Sequence, residues 1–79
     1  MGLFFKKSGI YVIVCYVDGR RKYLEGISFR EKMAYFTEEP GDTAHIGSYE
    51  EAERIVDLLQ TVRGVTRIKI YDCEDDRWL

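Results

Sequence analysis

Few residues of this chain could do covalent chemistry. The only histidine is His45, and the only cysteines are Cys15 and Cys73, so His45 could pair with either thiol as a nucleophilic dyad. The sequence contains no nucleophile elbow around a serine and no pair of acids in a catalytic motif. We therefore predict no catalytic residues, and we expect the protein not to be an enzyme.

Metal and cofactor sites are not indicated either. The acidic run at residues 72–76 lacks the spacing of a calcium loop and its glycine. Two cysteines are too few for a four-ligand zinc site, and Gly41 and Gly47 are isolated turn residues rather than a phosphate-binding loop. We predict no metal and no cofactor. Two free thiols are expected, with a Cys15–Cys73 disulfide as the alternative.

Residues suited to molecular recognition are more abundant. The 79-residue chain has six tyrosines, four phenylalanines and one tryptophan, and tyrosine and arginine dominate the energetics of protein interfaces. The net charge of −2 argues against nucleic acid as a general partner. The expected elements place the candidate partner-binding residues on one sheet face: Tyr16, Tyr23, Tyr35, Arg67, Lys69 and Tyr71.

A β-hairpin is the clearest local signal. Ile10–Val17 and Arg20–Ile27 are rich in β-branched and aromatic residues, and Asp18-Gly19 between them suits a type I′ turn. A two-residue loop fixes the register of the strands. The expected pairs are Val17 with Arg20, Cys15 with Lys22, Val14 with Tyr23, and Ile13 with Leu24.

One helix is expected after a third strand. That strand is predicted at Lys32–Thr37, with a turn at Glu38–Asp42 and a loop at Thr43–Gly47. Ser48, with glutamate three residues later, forms a capping box. Apolar residues at helical spacing then continue up to a glycine stop, which predicts a helix over Tyr49–Arg63.

The resulting fold class is α+β with the order β-β-β-α-β. Val65–Asp72 alternates between apolar and polar residues and is the fourth strand. A right-handed crossover would place it beside the first strand and parallel to it, in a three- to four-stranded mixed or antiparallel sheet with one helix packed on one face. Residues 1–79 form a single domain, with an N-terminal arm at 1–8 and an acidic tail at 73–79.

A single helix covers one face of the sheet and leaves the other open. The expected core is Ile13, Cys15, Leu24, Phe36, Ile68 and Ile70. The expected open face carries Val12, Val14, Tyr16, Tyr23, Tyr35, Arg67, Lys69 and Tyr71. Which face of the first hairpin is core stays open, because both are apolar. The open face is either a contact site or covered by Phe4 and Phe5 of the arm or by Trp78 and Leu79 of the tail.

The sequence also resembles a layout found in small uncharacterised phage and prophage proteins. The resemblance rests on Tyr23-Leu24-x-Gly26, Phe36-Thr37-Glu38-Glu39-Pro40, Ala44 and Ser48-x-Glu50-Glu51-Ala52, and it spans roughly residues 11–59. The chain departs from the layout at His45-Ile46, where an aromatic residue often follows the alanine. The resemblance implies a phage-encoded accessory protein that binds a host protein, and it implies no catalytic residues.

We therefore predict a non-catalytic protein-interaction module that binds or inhibits a host protein, or that self-associates as a homodimer through the open face. One alternative is a single-stranded nucleic-acid binder that uses tyrosine, arginine and lysine on the sheet. Another is a small-ligand or nucleotide binder at an oligomer interface. The apolar run Ile10–Val17 is too short to span a bilayer, so we expect no membrane partner and a cytoplasmic location, in the host cell if the protein is phage-encoded.

Overall fold

The first hairpin forms as predicted. The computed structural model describes residues 8–79, in which β1 (Ser8–Val17) and β2 (Arg20–Ser28) are joined by a tight turn. Asp18 and Gly19 have φ of 53° and 84°, and a type I′ turn requires positive φ at both positions. Three of the predicted pairs are confirmed: Val14 with Tyr23, Cys15 with Lys22, and Val17 with Arg20.

The fourth predicted pair, Ile13 with Leu24, is not part of the ladder, because β2 leaves β1 after Tyr23. The carbonyl of Leu24 instead accepts a hydrogen bond from the amide of Ala44 at 2.8 Å. A later strand then takes the place of β2 beside the first residues of β1.

Six further elements complete the described chain. They are β3 (Met33–Thr37), a 3₁₀ helix (Pro40–Asp42), β4 (Ile46–Ser48), α1 (Tyr49–Leu59), β5 (Val65–Asp72) and β6 (Arg77–Trp78). The sheet has the order β3-β2-β1-β5-β6, β4 pairs with β1, and every pairing within residues 8–79 is antiparallel. The α+β class with one helix is confirmed, but the sheet has six strands rather than three or four.

The predicted parallel alignment of β5 with β1 is wrong. The segment Thr43–Gly47, predicted as a loop, contains the start of β4, which runs antiparallel to β1. The strand β3 lies two antiparallel steps from β1 and so runs parallel to it, which means that the chain reverses between β3 and β4. The helix then leads into β5 in the direction of β4. Because β4 runs antiparallel to β1, and β5 runs in the same direction as β4, β5 is also antiparallel to β1.

The helix begins where the capping box predicts and ends earlier than expected. The hydroxyl of Ser48 accepts a hydrogen bond from the amide of Glu51 at 3.1 Å. The predicted end at Arg63 is wrong, because α1 stops at Leu59 and the hydroxyl of Thr61 donates to the carbonyl of Leu58 at 2.7 Å. No helix in the described part of the chain is long and apolar enough to cross a membrane.

The core lies between α1 and the sheet face that was predicted to be buried. Of the predicted core residues, Ile13, Cys15, Leu24 and Ile70 are buried, whereas Phe36 and Ile68 are half-buried against them. The helix contributes Ala52, Ile55 and Leu59 to this core. Burial thus decides the question that the apolar hairpin left open: the face with Ile13 and Cys15 is the core face.

A β-bulge in β5 changes which of its residues face the core. Val14 pairs with Lys69 but Tyr16 pairs with Thr66, so both Arg67 and Ile68 lie opposite Cys15. Strict alternation would place Val65 on the open face with Lys69. The extra residue instead turns Val65 into the core, where its side chain is 9% exposed. A second bulge, at Glu25 in β2, has the same effect on Ile27.

Residues 73–79, predicted as an acidic tail, turn back onto the sheet. The loop Cys73–Asp76 reverses the chain, and β6 then pairs with the end of β5, Tyr71 opposite Trp78 and Asp72 opposite Arg77. This segment therefore extends the sheet at its edge rather than crossing it. The predicted arm, including Phe4 and Phe5, lies outside the described residues except for Ser8, which begins β1.

We predict that Gly64→Ala lowers the free energy of unfolding by about 1–2 kcal/mol. Gly64 has φ of +88°, and an added Cβ would lie 2.6 Å from Oδ1 of Asp18 in the hairpin turn. Urea denaturation measures the change. The matched control is Gly41→Ala, because nothing lies within 4 Å of a Cβ there. Equal stabilities of the two variants would contradict this account of Gly64.

Candidate functional site

The open face of the sheet is organised in three rows of side chains that cross the strands. Residues directly opposite each other in an antiparallel pair project to the same face, so the register defines each row. Each row has a β1 residue: Val12, Val14 or Tyr16. The rows are Trp78–Tyr71–Val12, Lys69–Val14–Tyr23 and Thr66–Tyr16–Arg21.

Contacts between aromatic and cationic side chains hold these rows together. The guanidinium carbon of Arg67 lies 5.2 Å from the ring centroid of Tyr16, and that of Arg21 lies 5.4 Å from the centroid of Tyr23. Both distances fall within the range of cation–π attraction. Arg21 also donates a hydrogen bond to the Tyr23 hydroxyl at 3.3 Å. Two of the tyrosine rings therefore each have a guanidinium group over one face.

The rows enclose a depression that we call the cationic groove. It has a volume of about 630 Å³ and is lined by Val14, Tyr16, Arg21, Arg67, Lys69 and Trp78. Val14 forms the floor and is only 5% exposed, although it lies on the face opposite the helix. Trp78 forms part of one side and is 50% exposed. A smaller depression next to it adds Val12, Tyr23 and Tyr71 to the lining.

The charge of the groove differs from that of the whole chain. Three of its six lining residues are cationic and none is acidic, whereas the chain has a net charge of −2. On the other face, Glu38 pairs with Lys22 at 3.2 Å and with Arg20 at 3.3 Å. The hydrogen bond from Lys22, and then the charge of Arg20, lower the pKa of Glu38 below its ordinary value. These two are the only ion pairs among residues 8–79, so no carboxylate of the described chain pairs with the cations of the groove.

Five of the six candidate partner-binding residues come together on this face. Tyr16, Arg67 and Lys69 line the cationic groove, and Tyr23 and Tyr71 line the smaller depression beside it. The sixth candidate, Tyr35, lies on β3 next to Gly26 and lines neither depression. It is 48% exposed at the edge of the sheet.

Three groove residues, Val14, Arg21 and Trp78, were not among the candidates, although Val14 was expected on the open face. Arg21 follows from the hairpin register, since pairing Val17 with Arg20 requires Tyr16 to face Arg21. The position of Trp78 depends on the formation of β6, and the sequence contains only a weak signal for the turn that precedes this strand. Its ring meets that of Tyr71 edge-on at 5.0 Å.

Asp72 positions Trp78 by ordering the turn between β5 and β6. Its side chain is 8% exposed, and one carboxylate oxygen accepts hydrogen bonds from the amides of Glu74 at 3.0 Å and Asp75 at 3.1 Å. The amide of Leu79 donates to the carbonyl of Ile70 at 2.9 Å and secures the strand beyond the turn. The buried carboxylate thus belongs to the scaffold of the groove.

The residues considered for covalent chemistry lie apart from the groove. Cys15 is fully buried, and burial raises its thiol pKa to about 11, which suppresses the reactive thiolate. Cys73 is exposed, and neither cysteine is in a disulfide. His45 is exposed in the loop before β4. Within residues 8–79, no cluster of three or more His, Cys, Asp or Glu side chains is placed to hold a metal ion.

No model of a known protein family, no curated protein and no solved structure matches this chain. The case for a function therefore rests on the geometry and charge of the open face.

We expect one thiol of the native protein to react with iodoacetamide at mildly alkaline pH. Partial burial, and then the charge of Asp72, raise the pKa of the Cys73 thiol, but this thiol is exposed. Cys15 is buried and its pKa is raised to about 11, so the reaction of Cys15 should require unfolding. Mass spectrometry before and after denaturation measures the number of labels, with Cys73→Ser as the control that should remain unlabelled. Rapid native labelling of the Cys73→Ser variant would contradict the burial of Cys15.

The bulge at Arg67 predicts an unusual order of stabilities. Arg67 has φ of 52°, in a bulge position where glycine is the usual residue. We expect Arg67→Gly to be more stable than Arg67→Ala by about 1 kcal/mol, because only glycine relieves the left-handed backbone. At Lys69, in the regular part of β5, we expect Lys69→Ala to be more stable than Lys69→Gly. Thermal or urea denaturation measures the stability of the four variants. If glycine and alanine ranked in the same order at both positions, the result would contradict the bulge.

Proposed function

We propose that this chain is a non-catalytic protein-interaction module that binds a partner protein through its open face. The observation that carries the proposal is the cationic groove, in which a buried valine floor lies beside half-exposed Trp78 and cationic Arg67. Tryptophan, tyrosine and arginine are the residue types most enriched at binding hot spots. An apolar floor with a few polar groups around it is also the usual composition of a binding cleft.

The resemblance to small phage and prophage proteins supports a host protein as the partner. In this form of the proposal, a phage-encoded accessory protein acts in the cytoplasm of the host cell and occupies a surface that its target needs. Binding through side chains of a preformed sheet requires no chemical step, in accord with the absence of a catalytic motif in the sequence.

Self-association as a homodimer is the second form of the proposal, and the charge of the groove opposes its simplest geometry. In a two-fold symmetric dimer, the same patch meets itself. Stacking two open faces would bring two copies of Arg21, Arg67 and Lys69 together, and like charges in an interface are unfavourable. The geometry therefore favours a different protein as partner over a second copy of the same face.

Binding of single-stranded nucleic acid is a second candidate function, favoured by the cations and aromatic rings on one sheet face. Base stacking, however, needs free ring faces, and guanidinium groups already lie over Tyr16 and Tyr23. The net charge of −2 also opposes a polyanion at longer range. We therefore rank nucleic acid below protein. Ligand binding at an oligomer interface stays a prediction from the sequence.

The test of the protein-interaction proposal is a quantitative capture experiment. The immobilised full chain should retain one or a few discrete proteins from bacterial lysate, and Arg67→Glu or Trp78→Ala should reduce their recovery about tenfold or more. Circular dichroism and thermal denaturation check that each variant keeps its fold, because both side chains also pack on the open face. Arg30→Glu is the matched charge-reversal control, because Arg30 is exposed in the β2–β3 connection and does not line the groove.

Equal recovery by the groove variants and the Arg30→Glu control would refute the proposal. A labelled oligodeoxythymidine, titrated by fluorescence anisotropy at low salt, tests the second candidate. Salt-sensitive binding that Arg67→Glu abolishes would establish nucleic acid as the ligand instead.

A further inference from the structure

The arrangement of charge around the floor of the groove specifies the chemistry of its occupant. Arg21 projects from β2 on one side of Val14, and Lys69 and Arg67 project from β5 on the other. The two sides lie two strand spacings apart, or about 10 Å. An occupant that covers Val14 therefore meets positive charge on both flanks.

These cations are available to a partner. In the described part of the chain, the carboxylate of Glu38 pairs with Arg20 and Lys22, which project to the helix side, and no carboxylate pairs with the groove cations. An acidic partner would replace water around Arg21, Arg67 and Lys69 by charge-assisted hydrogen bonds. A neutral partner would bury part of these charges without compensation, which is unfavourable.

The apolar floor of the groove, formed by Val14, favours an occupant with a second property, an apolar side chain. Val14 lines the groove together with Tyr16 and Trp78, and Trp78 keeps half of its surface exposed in the free protein. An aliphatic or aromatic side chain above Val14 would bury this apolar surface, which a purely acidic ligand cannot do. The groove thus combines one apolar position with a cationic flank on each side.

We propose, resting on the function proposed above, that the groove binds an extended acidic segment of the partner protein with a large apolar residue at its centre. Alternate residues of an extended chain lie about 7 Å apart on one face, so acid, apolar and acid at alternate positions span about 13 Å. The long side chains of Arg21 and Lys69 reach carboxylates at that separation. The expected recognition pattern is acid-x-apolar-x-acid.

The test uses random short peptides selected by messenger-RNA display against the immobilised full chain. We expect enriched peptides to carry the acid-x-apolar-x-acid pattern and to bind less tightly as salt rises. Arg67→Glu or Lys69→Glu should weaken binding about tenfold or more, and Arg30→Glu should leave it unchanged. Trp78→Ala should reduce the preference for a large apolar residue while the preference for acids remains.

Several results would overturn the inference, and they can be told apart from a failure of the proposed function. Enrichment of neutral or basic peptides whose binding depends on Arg67 and Trp78 would refute the acidic pattern. It would still support the open face as a binding surface. Peptides that bind the groove variants as well as the native chain would refute the inference, and the capture experiment then decides the function separately. Stronger competition by oligodeoxythymidine than by the acidic peptides would assign the groove to nucleic acid.

A second copy of this chain is the remaining alternative occupant of the groove, and the experiment must distinguish it from a different partner protein. The helix presents exposed acids, among them Glu50, Glu53 and Asp57, which could approach the groove of another molecule. Light scattering coupled to size exclusion measures the solution mass of the same samples. The solution mass could be a multiple of 9.3 kDa that each of the variants Arg67→Glu and Glu53→Lys reduces to the mass of the monomer. That result would assign the groove to the second copy and overturn the inference.

Discussion

The central strand β1 has to be buried on both faces, although the domain has one helix. β1 lies between β2 and β5, and its residues Ile13 and Cys15 are fully buried under α1. Val14 projects to the opposite side and is nevertheless 5% exposed, because side chains of the neighbouring strands surround it. The aromatic and cationic residues of the open face thus have a structural role as the cover of β1, and the same arrangement creates a groove.

The β-bulge at Arg67 contributes to this arrangement. The bulge at Arg67 lets β5 supply Val65, Ile68 and Ile70 to the core, and it leaves Arg67 free to lie over Tyr16. A regular strand could not place all three apolar residues on one face, since side chains alternate with a period of two. The left-handed conformation of Arg67 is the local cost of this arrangement, of the order of 1–2 kcal/mol. Backbone strain of this kind occurs preferentially at functional sites.

The helix and the groove differ in charge. Four of the fourteen acidic residues lie on α1, and Glu50 and Glu51 in its first turn interact favourably with the positive end of the helix dipole. The charged residues that line the groove on the opposite face are all cationic. The net charge of −2 is therefore a poor guide to the partner that the groove would accept.

Much of the local structure could be predicted from the sequence, because its signals act over a few residues. Asp18-Gly19 determined the turn and hence the register of the first hairpin, and Ser48 determined the start of the helix. Only the tertiary structure decided the direction of β5 and the contents of the groove. β4 is three residues long and is stabilised by its partner β1 rather than by its own composition, and the bulge carries arginine where glycine would have signalled it. Trp78 likewise reaches the open face through pairing with β5. These features depend on contacts between distant segments, which no local pattern records.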